Sequence, residues 1–497
     1  ASTAVRNGAS SINTTSGTTT LAESRTLDGA TATDANTVFN LKDTAANILS
    51  ATTTELARGN GSNNSVVVDE TTAITAAQAT SLRSLDTSNA TFEIDGSTSG
   101  AAGNFKISDT AANIKSSSNS GAVAASTNVT VTDAISLSDA NTIVGSTPTG
   151  ATVTYKLTGT FAGLLNTSAL AIPAVRAGGT TNTGGRTLTV SEITVSDTVS
   201  LAQADAVVGW GLNGSSADAS LNYTLSDTFT ALSAASSSQK GATGSVGQAT
   251  SVTATGNATV AQAAVVSEFS NLVNSGAYSI VDSAANLYTA LNTKRSKNTT
   301  GASGQDAPEK QDRELITSAS SVTLTSGTFA TVQQALGDQN NDTDVNETRG
   351  LSSISGITYS IKDTSTNLLT GLGRSDKADL TSATEVWLGD ASTISVANYN
   401  TFQTNLGTKF KFHDHDDSSS TDGVYYLKDS VDNLLNAGGT IVSGAYRTGS
   451  TNLVIEDTYA NLKTNDGLAS LTLAFGDTDL DVVVTDTNLT KAQFDEL

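Results

Sequence analysis

Phe105-Lys-Ile107-Ser-Asp109-Thr110-Ala-Ala-Asn113-Ile114 is the stretch that decides how this chain folds. Its first half alternates apolar and polar residues, the pattern of a short strand with one buried face. Thr110 then offers its hydroxyl as a helix N-cap. Ala111 and Ile114 follow on one helical face. A strand, a turn and a helix this short cannot bury their apolar faces without neighbours of the same kind.

Those neighbours exist. The motif, here called DT, returns at Leu41-Lys-Asp43-Thr44-Ala-Ala-Asn47-Ile48, Asp282-Ser283-Ala-Ala-Asn286-Leu287, Asp363-Thr364-Ser-Thr-Asn367-Leu368, Asp429-Ser430-Val-Asp-Asn433-Leu434 and Asp457-Thr458-Tyr-Ala-Asn461-Leu462. Weaker copies are Tyr155-Lys-Leu157-Thr-Gly159-Thr160 and Tyr223-Thr-Leu225-Ser-Asp227-Thr228. A second motif, called AQA, alternates with it. Its clearest copies are Val129-Thr-Val131-Thr-Asp133-Ala-Ile135-Ser136 and Ile193-Thr-Val195-Ser-Asp197-Thr-Val199-Ser200-Leu-Ala-Gln203. Others run from Thr31, Thr75, Thr259, Thr331, Ser395 and Thr490. Both motifs read as strand, Ser/Thr cap and short helix. The expected class is an α/β repeat, a two-layer β-α solenoid with parallel strands in one layer and short helices in the other. A row of small α/β domains is the alternative. Residues 1–24 read as a loose or donated tail, 25–291 as a first solenoid segment, 292–315 as a charged insertion or linker, and 316–497 as a second segment.

Composition narrows the function. The 497 residues include no Cys and no Met, so disulfides and thiolate chemistry are excluded. The net charge of −22 disfavours nucleic-acid backbones and anionic membranes. No apolar run reaches the ~18 residues of a membrane helix, and the opening residues lack the basic and apolar regions of a signal peptide. With two His in the chain, any nucleophile–His–acid triad must recruit His413 or His415, which fall in an apparent loop. No P-loop or dinucleotide fingerprint is present. The expectation is a non-enzyme, with a solenoid polysaccharide-active enzyme the remote alternative. Thr/Ser/Gly/Asn-rich, Cys-free, acidic chains suit the outside of a bacterial cell.

The paired motifs resemble those of the very long Thr/Ser/Ala-rich surface proteins of marine cyanobacteria and other Gram-negative bacteria. Those proteins carry many "SDTAANI"-type units, matched here by Ser108-Asp109-Thr110-Ala-Ala-Asn113-Ile114. The resemblance implies a secreted or surface-anchored structural repeat protein that forms a filament, sheath or surface layer, or else an adhesin module binding glycan. The partner expected first is the chain itself, joined head to tail. Calcium-binding glycine-rich nonapeptides often accompany that family, and this chain has no such array.

Two polar segments are candidate metal sites. Asp338, Asn340, Asp342 and Asp344 place oxygen ligands at alternate positions, as calcium loops do, but Thr343 and Arg349 stand where the turn Gly and the bidentate Glu belong. His413, His415, Asp416 and Asp417 combine imidazole and carboxylate ligands suited to a divalent ion. Each has a plain alternative, a solvated polar insertion. The repeated Asp before each cap reads as a charge favoured at a helix N-terminus. The repeated Asn reads either as a ladder bonding the backbone of the next coil or as a local cap.

Overall fold

The computed structural model describes residues 11–13, 18–28, 36–38, 40–58, 66–69, 73–88, 105–165, 179–183, 185–211, 220–273, 278–292, 312–337, 349–389, 393–411, 425–436, 450–464 and 480–495. The chain forms two compact units. The first comprises Ala1–Asp227, Ala234–Thr253 and Phe269–Val273, the second Thr228–Ser233, Ala254–Glu268 and Asn274–Leu497.

The class is α/β, with several small parallel sheets and short helices. In the first unit, strands Lys106–Asp109, Asn128–Ile135, Thr152–Gly159, Arg186–Val199 and Ser220–Thr228 lie side by side in chain order, all parallel. Gly179–Thr183 adds antiparallel to Arg186–Val199. In the second unit three parallel sheets are described. They are Asn257–Ala258 with Ser279–Asp282 and Ser321–Leu324; Ile361–Asp363 with Val386–Leu388 and Phe410–Lys411; and Thr393–Ile394 with Tyr425–Asp429, Ser450–Asp457 and Leu480–Val484. Parallel neighbours need a crossover, and here a short helix supplies it.

Two registers hold the strands. The residue before an AQA cap pairs with the apolar residue two before a DT aspartate. The pairs are Thr19 with Leu41, Ile74 with Ile107, Val199 with Leu225, Ala258 with Ile280, Ala330 with Ile361 and Ile394 with Leu427. Ile135 and Leu157 repeat it beside Gly159, which replaces the aspartate. The DT aspartate in turn pairs with an apolar residue of the following strand, as Asp109 does with Val131 and Asp363 with Leu388. A one-residue slip would turn each core side chain to solvent. Leu41, Ile107, Leu225 and Ile361 are all at most 1% exposed. Each such side chain contributes about 1.5–3 kcal/mol by leaving water.

The pattern begins earlier than the sequence suggests. Leu21–Asp28 is a helix, Leu21 is buried, and Thr20 and Glu23 cap it reciprocally. Residues 18–24 therefore belong to a repeat rather than to a tail. Thr20-x-x-Glu23 is a capping box hidden in a Ser/Thr-rich run. Thr31, the expected first AQA cap, lies outside the described residues. Likewise the helix Asp312–Ser318, with Ile316 buried, takes in the last four residues of the linker expected to end at residue 315. Among the described residues no helix is long and apolar enough to cross a membrane.

Candidate functional site

The cap Ser/Thr residues do what their chemistry suggests. Thr44, Thr110, Ser136, Thr259, Thr331, Thr364 and Ser395 each have extended backbone and accept the N–H of the residue three positions on. In AQA turns the glutamine completes the box. The Thr259 N–H donates to Gln262 Oε1 at 2.9 Å and the Gln262 N–H to Thr259 Oγ1 at 3.2 Å. Thr75, Ser200, Thr331 and Thr490 repeat this with Gln78, Gln203, Gln334 and Gln493.

DT turns use a different device, and it carries the site. Asp109 Oδ1 accepts the Thr110 N–H at 2.8 Å and the Asn113 amide at 2.7 Å. Its Oδ2 accepts the Ala76 N–H at 3.0 Å. Ala76 is the first residue of the helix Ala76–Ser88, which belongs to the neighbouring turn. One carboxylate thus caps its own helix and the preceding one. The same three bonds recur at Asp43 with Thr44, Asn47 and Leu21. They recur at Asp282 with Ser283, Asn286 and Val260, and at Asp363 with Thr364, Asn367 and Val332. Asp429 takes Ser430, Asn433 and Val396, and Asp457 takes Thr458, Asn461 and Val431. A carboxylate bond to the neighbouring helix start, without a bracing asparagine, joins Asp133 to Ala111, Asp197 to Phe161, Asp227 to Leu201 and Asp486 to Tyr459.

The expected roles change accordingly. Asn113 and its equivalents form neither a ladder nor a cap through their side chains. Each amide braces the aspartate four residues before it, because a side chain in the first helical turn points back toward the N-terminus. The aspartates gain more than the expected interaction with a helix dipole. Burial alone would raise the carboxyls of Asp43 and Asp109. The bonds from Asn47, Leu21 and Thr44, and from Asn113, Thr110 and Ala76, outweigh it and hold both below the usual carboxylate range. With three N–H groups aimed at its two oxygens, each bracket carboxylate is already satisfied, a poor arrangement for a cation.

The candidate metal ligands Asp338, Asn340, Asp342, Asp344, His413, His415, Asp416 and Asp417 lie outside the described residues. The ends of the first segment are close, since Gly337 and Arg349 form an antiparallel bridge. Among the described residues no group of three or more His, Cys, Asp or Glu comes together as a metal site. An open hollow lined by Leu49, Thr80, Ser81, Ser84 and Leu85 carries no titratable side chain.

Trp387 sits in a surface row, paired with Lys362 on one side and Lys411 on the other. Phe329, 38% exposed, meets it edge to face at 6.0 Å, and Lys362 Nζ lies 5.7 Å from the Phe329 ring centre. Low aromatic content hides this platform in the sequence, because its members come from three separate strands and a loop. No family model, no curated protein and no solved structure matches this chain.

Proposed function

We propose that this chain is a structural repeat protein of the bacterial cell surface or exterior, each of its units a stretch of two-layer β-α solenoid, and that it assembles with copies of itself into a filament, sheath or layer. The observation that carries the reading is the aspartate bracket. The repeated polar residues of the DT motif are occupied in joining one turn to the next, which is the chemistry of a scaffold. Electron microscopy of the purified chain across a concentration series tests it. Elongated particles that associate into regular fibres or sheets are expected. A chain that stays compact and monomeric at every concentration refutes the reading.

A second reading, an adhesin, is favoured by the Phe329, Lys362, Trp387 and Lys411 platform. The Phe329 and Trp387 rings, with Lys362 over Phe329 and Glu385 accepting the Trp387 indole N–H at 3.0 Å, suit a sugar, the rings stacking on its C–H bonds and the two charged groups meeting its hydroxyls. Binding of soluble oligosaccharides that Trp387→Ala abolishes, without self-assembly, would select it. Calcium enters the proposal through Asp338, Asn340, Asp342 and Asp344. The test is a chelator-sensitive melt that Asp342→Ala makes insensitive.

A further inference from the structure

The outward face of the first unit's sheet carries a regular array that the aspartate brackets do not use. Lys106, Asn128, Thr152 and Thr187 stand side by side on four successive parallel strands. Two residues further along each strand, Ser108, Thr130, Thr154 and Thr189 form a second row. Between the rows, Ile107, Val129, Val153 and Leu188 are at most 1% exposed, so alternation turns both polar rows away from the core. No register shift interrupts this block; the irregularities begin after Thr130 and after Tyr155. The antiparallel strand Gly179–Thr183 continues the register, with Asn182 opposite Thr187 and Thr180 opposite Thr189.

The array is chemically uniform. Five of its eight positions are Thr, and Lys106 at its edge is the one ionisable group in it, although the chain has a net charge of −22. Among the described residues the hydroxyls of Ser108, Thr152, Thr154 and Thr187 have no hydrogen-bond partner. A β-branched side chain is stiff at χ1, so each Thr holds its methyl and hydroxyl in a fixed position. Strands lie about 4.8 Å apart, and alternate residues along a strand about 6.6 Å apart. The rows therefore repeat a methyl and a hydroxyl in two directions, at distances similar to those between oxygen atoms on the faces of hexagonal ice. An uncharged array without aromatic rings lacks the groups that grip a charged polymer or stack on a sugar. By charge it complements a neutral surface that offers hydrogen bonds at its own period.

We infer that this array, centred on Thr152 and Thr154, is a face that binds ice. Its hydroxyls take lattice positions at the crystal surface, and its stiff side chains need little ordering on contact. The inference goes beyond the scaffold reading and does not depend on it, because one chain carries the whole array.

The test uses the full chain, kept monomeric by light scattering, with a single ice crystal held in its solution in a nanolitre osmometer. Faceted growth and a gap between melting and freezing temperatures are expected, with slowed recrystallisation of annealed ice. Thr154→Tyr keeps a strand-favouring residue and stands a ring on the array. It should abolish these effects with the urea unfolding curve unchanged, and Thr152→Lys in the other row should do the same. Thr224→Tyr, at an exposed position of Ser220–Thr228 outside the array, should leave them intact. Round crystals with no freezing gap in the native chain overturn the inference, whatever the variants do. Ice activity that survives both array variants, or that Thr224→Tyr removes equally, also overturns it. A native chain without ice activity that is retained on insoluble cellulose, or self-associates, until Thr154→Tyr is introduced would assign the face to a polysaccharide or to a second copy instead. Absence of ice activity leaves the scaffold reading standing, since that reading is decided by the assembly seen in the microscope.

Discussion

Replacing Asp109 by Ala removes one bracket and tests the central physical claim. Three donors lose their acceptor. Thr110 and Asn113 are exposed and can turn to water, so each loses little. The Ala76 N–H cannot, because Ala76 is 0% exposed. An orphaned buried donor costs about 1–3 kcal/mol, and the lost anion at a helix N-terminus adds about 0.3–1 kcal/mol. The expected loss is about 1.3–4 kcal/mol, localised to the junction between the Ala76–Ser88 helix and the Lys106–Asp109 strand. A long repeat array need not unfold in one step, so a global melt is the wrong assay. Hydrogen exchange followed by mass spectrometry reads the junction itself. Peptides covering residues 73–80 and 105–110 should exchange roughly 10- to 700-fold faster, while those covering residues 251–258 stay unchanged. Asn113→Ala is the control: it removes one exposed brace and should cost about 0.5–1.5 kcal/mol. If Asn113→Ala matches Asp109→Ala, or if exchange at Ala76 does not move, the carboxylate is not what joins the two turns.

Acid should loosen the same joints. Asp43 and Asp109 are held below the ordinary carboxylate value, so their contribution is complete above about pH 5, where the unfolded carboxyls are almost fully ionised, and is lost as pH falls from there through the folded pKa. Exchange at Leu21 and Ala76 should accelerate over that window once intrinsic rates are corrected, and a flat response would contradict the assignment. Thr259→Ala should cost about 1 kcal/mol by uncapping Val260–Val266, and Gln262→Ala less, since the Thr259 hydroxyl still accepts the residue-262 N–H. Far-UV circular dichroism against urea should rank them in that order. Gly159→Asp with Gly163→Asn should build a bracket where none exists, reaching the start of Leu137–Ser146. A Cβ at Gly159 meets Leu164 at 3.4 Å and one at Gly163 meets the Thr160 hydroxyl at 3.1 Å, so both positions are tight but open. A gain of about 0.5–2 kcal/mol is expected, part of it from the removed glycine freedom. A destabilised double variant would refute the design.

What the sequence reveals follows from the range of each interaction. Strand, cap and helix lie within a dozen residues, so alternation and the Thr110-type hydroxyl are legible, and so is the α/β class. The bracket is not, because Asp43 reaches Leu21 across 22 positions and Asp109 reaches Ala76 across 33. A signal was present: an aspartate directly before the cap and four before an asparagine. It points to a shared task without naming the partner. The Asn expectation failed for a related reason. Backbone of the next coil and backbone of its own cap were both plausible partners, but a carboxylate at the preceding turn outcompetes them as a charged acceptor. The Thr20 turn was lost in a low-complexity background, where Thr31 resembled the motif equally well.

Among the described residues, the brackets sit where the ladders are shortest. There the Thr19, Ile74 and Ala330 strands meet their DT neighbours through single bridges, and Asn257–Ala258 and Thr393–Ile394 through two pairs each. All five junctions carry the full three-bond aspartate. Where Gly159 replaces it, Asn128–Ile135 and Thr152–Gly159 share five pairs. Where Asp227 acts without an asparagine, five pairs again join the strands. Asp457 is the exception, with a full bracket beside a long ladder. A two-residue strand gives too few main-chain bonds to fix a register. A carboxylate that must reach both its own cap and the neighbouring helix start leaves one alignment. The bracket therefore substitutes for ladder length, which lets this chain repeat a very short strand. It follows that lengthening a ladder should make the bracket dispensable: aspartate-to-alanine exchange effects should be largest at Asp43, Asp109 and Asp363 and smallest at Asp227. A uniform response at all four would mean that the carboxylate stabilises each helix separately and does not set the register between turns.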